Sequence, residues 1–179
     1  MKGIVFTELL RMAENVIGED AVDDILDEMD LPHGGVYTSV GWYPCSELMG
    51  IVGAISKKTG TSVPDLQFAF GKWMHAHFVD AYPAMYAGKH TAFDMLESIE
   101  GEVHKEVRKL YDDVELPTFE TERLQPSVLK MTYRSARPLK HFCHGLICGC
   151  LEYFDEKSEV SVADASTDAE TVAHFTIAI

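Results

Sequence analysis

Between residues 93 and 111 the apolar side chains Phe93, Leu96, Ile99, Val103, Val107 and Leu110 recur at three- and four-residue steps, the period of a helix with one buried face. The spacing predicts one continuous helix. At about 100° per residue, His104 falls at the edge of the apolar stripe beside Phe93 and Tyr111, where an imidazole can face a cavity. On this helix taken alone, a half-exposed surface histidine is the plainer reading.

The same periodicity organises the chain before it. Residues 4–17 carry Ile4, Phe6, Leu9, Leu10, Met12, Ala13, Val16 and Ile17 and stop at Gly18, a good helix terminator. Asp20 is placed to cap a second helix with Val22, Ile25, Leu26 and Met29 inward. Residues 36–42 are β-prone but short, and read as a loop or a short strand. A third helix is expected after Ser46, through Leu48, Ile51, Val52 and Ile55 to Gly60. Ser62-Val63-Pro64-Asp65 opens a fourth, with proline in its first turn. His75 and His77 lie in that helix two residues apart, so they point to different sides and cannot share one metal. His77 reads as a surface or core-edge residue, and His75 as a side chain bordering a pocket.

Pro117 ends the helical part, and alternation begins. Two strands are expected near 118–124 and 128–134, joined at Gln125-Pro126-Ser127. Pro138 opens a helix with Leu139, Phe142, Cys143, Leu146, Ile147, Cys150, Leu151 and Phe154 along one side. Gly145 and Gly149 cost helix propensity there, which points to close approach by another element or a ligand. Strands near 160–162 and 172–179 close the chain. Helices first and an antiparallel sheet with helices second is an α+β arrangement, here one domain with a helical part at about 1–60 and the remainder at about 61–179.

Composition narrows the function. A chain of 179 residues with 46% hydrophobic and 25% charged residues is an ordinary globular protein. Its formal charge of -14 argues against nucleic acid, whose phosphates require lysine and arginine. No early apolar run reads as a signal peptide or membrane span, so a cytoplasmic protein without membrane insertion is expected. Of the four cysteines, Cys143, Cys148 and Cys150 crowd one short segment, which is not a spaced disulfide framework, and reduced thiols follow.

Residues 131–138 read Met-Thr-Tyr-Arg-Ser-Ala-Arg-Pro. In an extended strand Tyr133, Ser135 and Arg137 project to one side. Two hydroxyls and a planar guanidinium suit a pair of carboxylates, although alternating polar residues alone more often mean a solvated strand face. With His104 and the glycine-containing apolar helix, they fit what a heme needs: one axial nitrogen, an apolar slot and donors for two propionates.

The sequence resembles the heme nitric oxide/oxygen-binding (H-NOX) domain, of the stand-alone bacterial type and related to the heme domain of soluble guanylate cyclase. Nearly the whole chain carries the resemblance, through Tyr37-Thr38-Ser39-Val40-Gly41, Val63-Pro64-Asp65, Ala69-Phe70-Gly71, the segment from His104 to Tyr111, Glu115-Leu116-Pro117-Thr118-Phe119 and, most specifically, the Tyr-x-Ser-x-Arg motif at Tyr133. It implies heme b (iron protoporphyrin IX) buried between the helical and sheet parts, with His104 as the iron ligand and Tyr133, Ser135 and Arg137 on the propionates. Pro117 matches the proline that presses on the macrocycle. Val5, Leu9, Met74, Phe142 and Leu146 match the distal lining, and Phe142 occupies the position where oxygen-binding members carry a tyrosine. The resemblance thus implies a sensor of NO that also binds CO. On NO binding, loosening of His104 would relax the macrocycle and shift the helical half against the sheet half. The signal would pass to a separate histidine kinase or a cyclic-di-GMP enzyme (diguanylate cyclase or phosphodiesterase).

Two other readings compete. A heme-free cysteine/histidine metal protein would use Cys143, His144, Cys148 and Cys150, but on a helix Cys148 points away from the face shared by Cys143 and Cys150. An enzyme would draw on acid pairs such as Asp112-Asp113 or Glu100 with Glu102, which in an acidic chain read as solvated surface with no nucleophile beside them.

Overall fold

The structure, a computed structural model, describes residues 1–111 and 114–179, the side chain of Leu110 excepted. The Asp112-Asp113 pair and the place of Leu110 in the apolar stripe lie outside the described residues. The chain divides into two units, Met1–Phe70 and Gly71–Ile179.

The first unit contains α1 (Gly3–Ile17), α2 (Glu19–Asp27), α3 (Cys45–Thr59) and the start of α4 (Val63–Ala81). Most of the residues that set the period are buried, Phe6, Leu9, Met12 and Ala13 on α1, Val22 and Ile25 on α2, and Leu48, Ile51, Val52 and Ile55 on α3, whereas Val16 is exposed and Met29 lies beyond the end of α2. Asp20 does not cap α2; it sits within the first turn, and the cap position is Gly18 at φ +87°. A left-handed residue lets the chain turn sharply from one helix into the next, which only glycine does cheaply. Helix α3 starts at Cys45, two positions earlier than a start after Ser46 implied, because Pro44 in an extended conformation takes the cap position, where no N–H is needed. Of residues 36–42, only Trp42 pairs, in a single bridge with Lys2. Tyr37 stacks on Phe6 with ring centroids 4.6 Å apart and donates its hydroxyl to Glu47 at 3.0 Å, pinning this loop to α3.

In the second unit a four-stranded antiparallel sheet has the order β1 (Thr118–Gln125), β2 (Val128–Ser135), β4 (Thr171–Ala178), β3 (Glu159–Asp164). The central register pairs Leu129 with Ile177, Met131 with Phe175 and Tyr133 with Ala173. These six side chains share one face and are all buried. Against them pack α5 (Ala92–Ser98) and α7 (Lys140–Tyr153), through Phe93, Leu96, Cys143, Ile147, Cys150 and Leu151. At about 1.5–3 kcal/mol for each large apolar side chain removed from water, this face dominates the unit's stability.

Two features position the site, the first a departure from the periodic reading. The expected continuous helix is broken: α5 begins at a reciprocal Thr91–Asp94 cap, a π turn covers Ile99–Val103, and α6 runs His104–Leu110. The His104 N–H donates to the carbonyl of Ile99, five residues back. An additional residue in one turn re-aims everything after it by roughly 100°. His104, at the stripe's edge in an unbroken helix, is thereby only 8% exposed. The second is the close approach expected at the glycines of α7. A Cβ on Gly71 would lie 2.2 Å from the Phe142 carbonyl oxygen and 2.8 Å from Gly145 Cα, and a Cβ on Gly149 would lie 2.8 Å from His75 Cβ. The element that approaches Gly145 and Gly149 is therefore α4.

Candidate functional site

Three elements of the second unit converge on His104. The π turn supplies Glu100, α6 supplies His104 and Arg108, and β1 supplies Phe119. His104 Nδ1 lies 3.0 Å from Glu100 Oε2, and the same oxygen accepts the Phe119 N–H at 3.3 Å. Arg108 donates to the other carboxylate oxygen at 2.8 Å. The Phe119 ring lies 5.6 Å from the imidazole. Burial pulls the His104 pKa below its ordinary value, and Glu100 only partly opposes it. For Glu100, burial works toward protonation, but the hydrogen bonds from Arg108 and His104 prevail and hold its carboxyl below the usual range. With Nδ1 engaged, Nε2 has no hydrogen-bond partner among the described residues and is the nitrogen available to a metal.

The expected trio is reached by a different route. Tyr133 is buried on the inner face of β2, its ring 5.7 Å from Phe119. Ser135 ends β2, half-buried, and there the backbone bends. Arg137 thus lies beyond the strand, so a bend and not the pleat places it. Its N–H donates to Ser135 Oγ at 3.0 Å, while its guanidinium donates to the Glu115 carbonyl at 2.8 Å and to Glu115 Oε2 at 3.0 Å. Pro117 is half-buried between Glu115 and β1.

Of the five residues matched to a distal lining, Val5 and Leu9 are on α1 in the first unit, half-buried and buried respectively. In the second unit, Met74 is fully buried on α4, and Phe142 and Leu146 are half-buried on α7 at the Gly71 contact. His75 faces α7 and Tyr86: its Nε2 lies 3.2 Å from the Tyr86 hydroxyl, and burial pushes its pKa down to about 4. Burial raises the Tyr86 hydroxyl well above its ordinary value. Cys143 and Cys150 share the core face as expected, while Cys148 is half-buried elsewhere. Burial raises both core thiols, that of Cys150 to about 12, which disfavours the thiolate a zinc ion would need. Among the described residues no three His, Cys, Asp or Glu side chains form a metal cluster.

Sequence reasoning missed Glu100 and Glu115. Glu100 was grouped with Glu102 as solvated surface; Glu102 does sit outside, paired with Lys89 at 2.7 Å, but Glu100 is anchored to three donors. Its spacing four residues before His104 was the available signal. Glu115 is 22 residues from Arg137 and gave none.

This donor set fits a heme on its own chemistry. One buried imidazole has a fixed ring and an available nitrogen, and a guanidinium beside a serine already donates to a carboxylate oxygen and a carbonyl.

The Haem-NO-binding family model matches residues 2–162. The chain is similar to the Fe(II) unliganded H-NOX protein of K. algicida at 37% identity, with a TM-score of 0.92 over 99% of this chain and 96% of that chain. It is also similar to the IWP-051-bound H-NOX of Shewanella woodyi in the Fe(II)CO ligation state, at 35% identity with a TM-score of 0.84, over 99% and 94%. A point mutant of T. tengcongensis H-NOX, 23% identical with a TM-score of 0.89 over 99% and 97%, shares the fold. No curated protein gives a significant match. The cofactor of H-NOX domains is heme. This chain belongs to the Haem-NO-binding family, the heme-based gas sensors known as H-NOX domains.

Proposed function

We propose that this protein senses NO, and also binds CO, at a ferrous heme ligated by His104, and signals to a separate protein. The observation that carries this reading is the state of His104: a buried ring, fixed through Nδ1 by Glu100, with Nε2 available. Tyr133, Ser135 and Arg137 would hold the propionates, for which the Glu115 carboxylate in the Arg137 fork is a chemical stand-in. Pro117 would bear on the macrocycle. When bound, the heme would supply the iron that takes up a diatomic gas.

The gas preference follows from side-chain chemistry. None of Val5, Leu9, Met74, Phe142 and Leu146 carries a hydroxyl or amide donor. Stable binding of O₂ at a heme calls for a hydrogen-bond donor in a dry pocket, whereas binding of NO and CO depends on one far less. The partner, a histidine kinase or a cyclic-di-GMP enzyme such as a diguanylate cyclase or phosphodiesterase, is supported by the family resemblance alone. A cytoplasmic location accords with the sequence, and no helix among the described residues is long and apolar enough to cross a membrane.

The test is reconstitution with hemin and reductant. The protein should show a Soret band that shifts on adding NO, and His104→Gly should acquire the ferrous spectrum only when imidazole is supplied. A colourless protein, or a variant that takes up heme equally well without imidazole, refutes the proposal.

A further inference from the structure

The geometry points to Glu100 as a positioning residue that holds the His104 ring through Nδ1 and strengthens it as a ligand, so that Glu100 sets how readily the histidine lets go of iron. The inference deepens the reading of His104 as the axial ligand and rests on it. A histidine whose far N–H is donated to a carboxylate carries more negative charge on its metal-facing nitrogen than one donating to water or to a neutral acceptor, and its ring cannot rotate freely.

Three features of this chain make Glu100 the carboxylate in question. Its Oε2 lies 3.0 Å from His104 Nδ1. The same oxygen takes the backbone N–H of Phe119, the second residue of β1 and two residues beyond Pro117, which ties the carboxylate to the sheet independently of its own helix. The third is the π turn: Glu100 lies inside it, and the His104 N–H reaches back to Ile99 in place of Glu100. The wide turn thus keeps Glu100 and His104, four apart in sequence, within bonding distance while the ring is buried.

Arg108 works in the opposite sense. Its guanidinium donates to Oε1 at 2.8 Å, and its side chain is 45% exposed against 11% for His104. The relay therefore runs from a buried ring through Glu100 to a solvent-facing cation, which draws carboxylate charge away from the ring. Substitutions at Glu100 and at Arg108 should move ligand strength in opposite directions, which a purely structural role for Glu100 does not produce.

The experiment uses the heme-loaded ferrous protein and reads the iron–histidine stretch by resonance Raman, the heme reduction potential and the rate of histidine loss on adding NO. Glu100→Gln keeps the size and an acceptor but removes the charge. It should lower the stretching frequency, raise the potential and speed histidine loss by roughly 10–100-fold, the usual effect of deleting a ligand's hydrogen-bond partner. Arg108→Ala should raise the frequency and lower the potential. This second variant alters an exposed side chain, so it decides the matter even if Glu100→Gln folds poorly. Unchanged frequency and potential in Arg108→Ala, or in a folded Glu100→Gln, overturns the inference while leaving His104 as the ligand. A wild-type protein with no iron–histidine stretch overturns the proposed function itself.

Discussion

Gly71→Ala and Gly53→Ala make the same chemical change in two helix interiors, and the structure requires opposite outcomes. Alanine gains about 1 kcal/mol over glycine in helix propensity at either position. At Gly53 on α3, an added Cβ meets nothing within 4 Å, so that gain stands. At Gly71 the Cβ would lie 2.2 Å from the Phe142 carbonyl oxygen and 2.8 Å from both Gly145 Cα and Leu146 N, backbone atoms with no rotamer to yield. Real Cβ contacts do not fall below 3.0 Å, so α4 and α7 must part locally by most of an ångström. Overpacking of this kind costs about 1–3 kcal/mol. Gly71→Ala should therefore be destabilised by up to about 2 kcal/mol net and Gly53→Ala stabilised by up to about 1, a separation of several degrees in Tm for a chain this size. Urea midpoints of both variants, in the same heme-loaded state as the wild type, measure it. Because α7 also carries Phe142 and Leu146, Gly71→Ala should change the CO dissociation rate and Gly53→Ala should not. A Gly71→Ala protein as stable as Gly53→Ala, with unaltered CO kinetics, would refute the close α4–α7 approach.

Two further outcomes follow from the buried polar groups and the apolar lining. Burial depresses the His75 pKa from 6.5 to about 4, so the folded chain keeps it neutral where the unfolded chain protonates it. Its contribution is complete above pH 6.5 and is lost as the pH falls from 6.5 toward 4, by up to about 3 kcal/mol. In His75→Gln the pH dependence of the urea midpoint should flatten by about one proton across that window; an unchanged slope would contradict it. Phe142→Tyr adds the missing donor, and a hydrogen bond to charged oxygen of about 1.5–3 kcal/mol should slow O₂ dissociation by roughly 10–100-fold. Stopped-flow rates identical to wild type would remove Phe142 from the gas pocket.

Periodicity was enough for the elements because apolar spacing and backbone geometry coincide through most of this chain. The helices from Gly3 to Ala81 follow buried residues the pattern had marked, and both hairpin strands begin and end within a residue or two of the expected positions. What stayed hidden depends on contacts between distant segments. The π turn leaves no compositional trace, since Ile99 and Val103 fit an α-helical stripe as well as they fit the wide turn. Arg137 looked like a strand residue because Tyr133 and Ser135 are, yet the bend after Ser135 and the Glu115 contact set its place. Glu100 was misread for the opposite reason. Acidic neighbours on a helix are usually solvated, and only the burial of His104 and the arrival of β1 at Phe119 turn this one inward.

The strand order leaves β1 and β3 at the two rims of the sheet, where unpaired backbone groups invite another chain to add on. Both rims bear carboxylates, Glu120 and Glu122 on one and Glu159 on the other, where Asp164 is paired with Lys140, and Glu100 already occupies the Phe119 N–H. Two copies meeting rim to rim would bring like charges together in a molecule that is strongly anionic throughout. Charge at both ends of the sheet therefore opposes strand addition between copies of the chain.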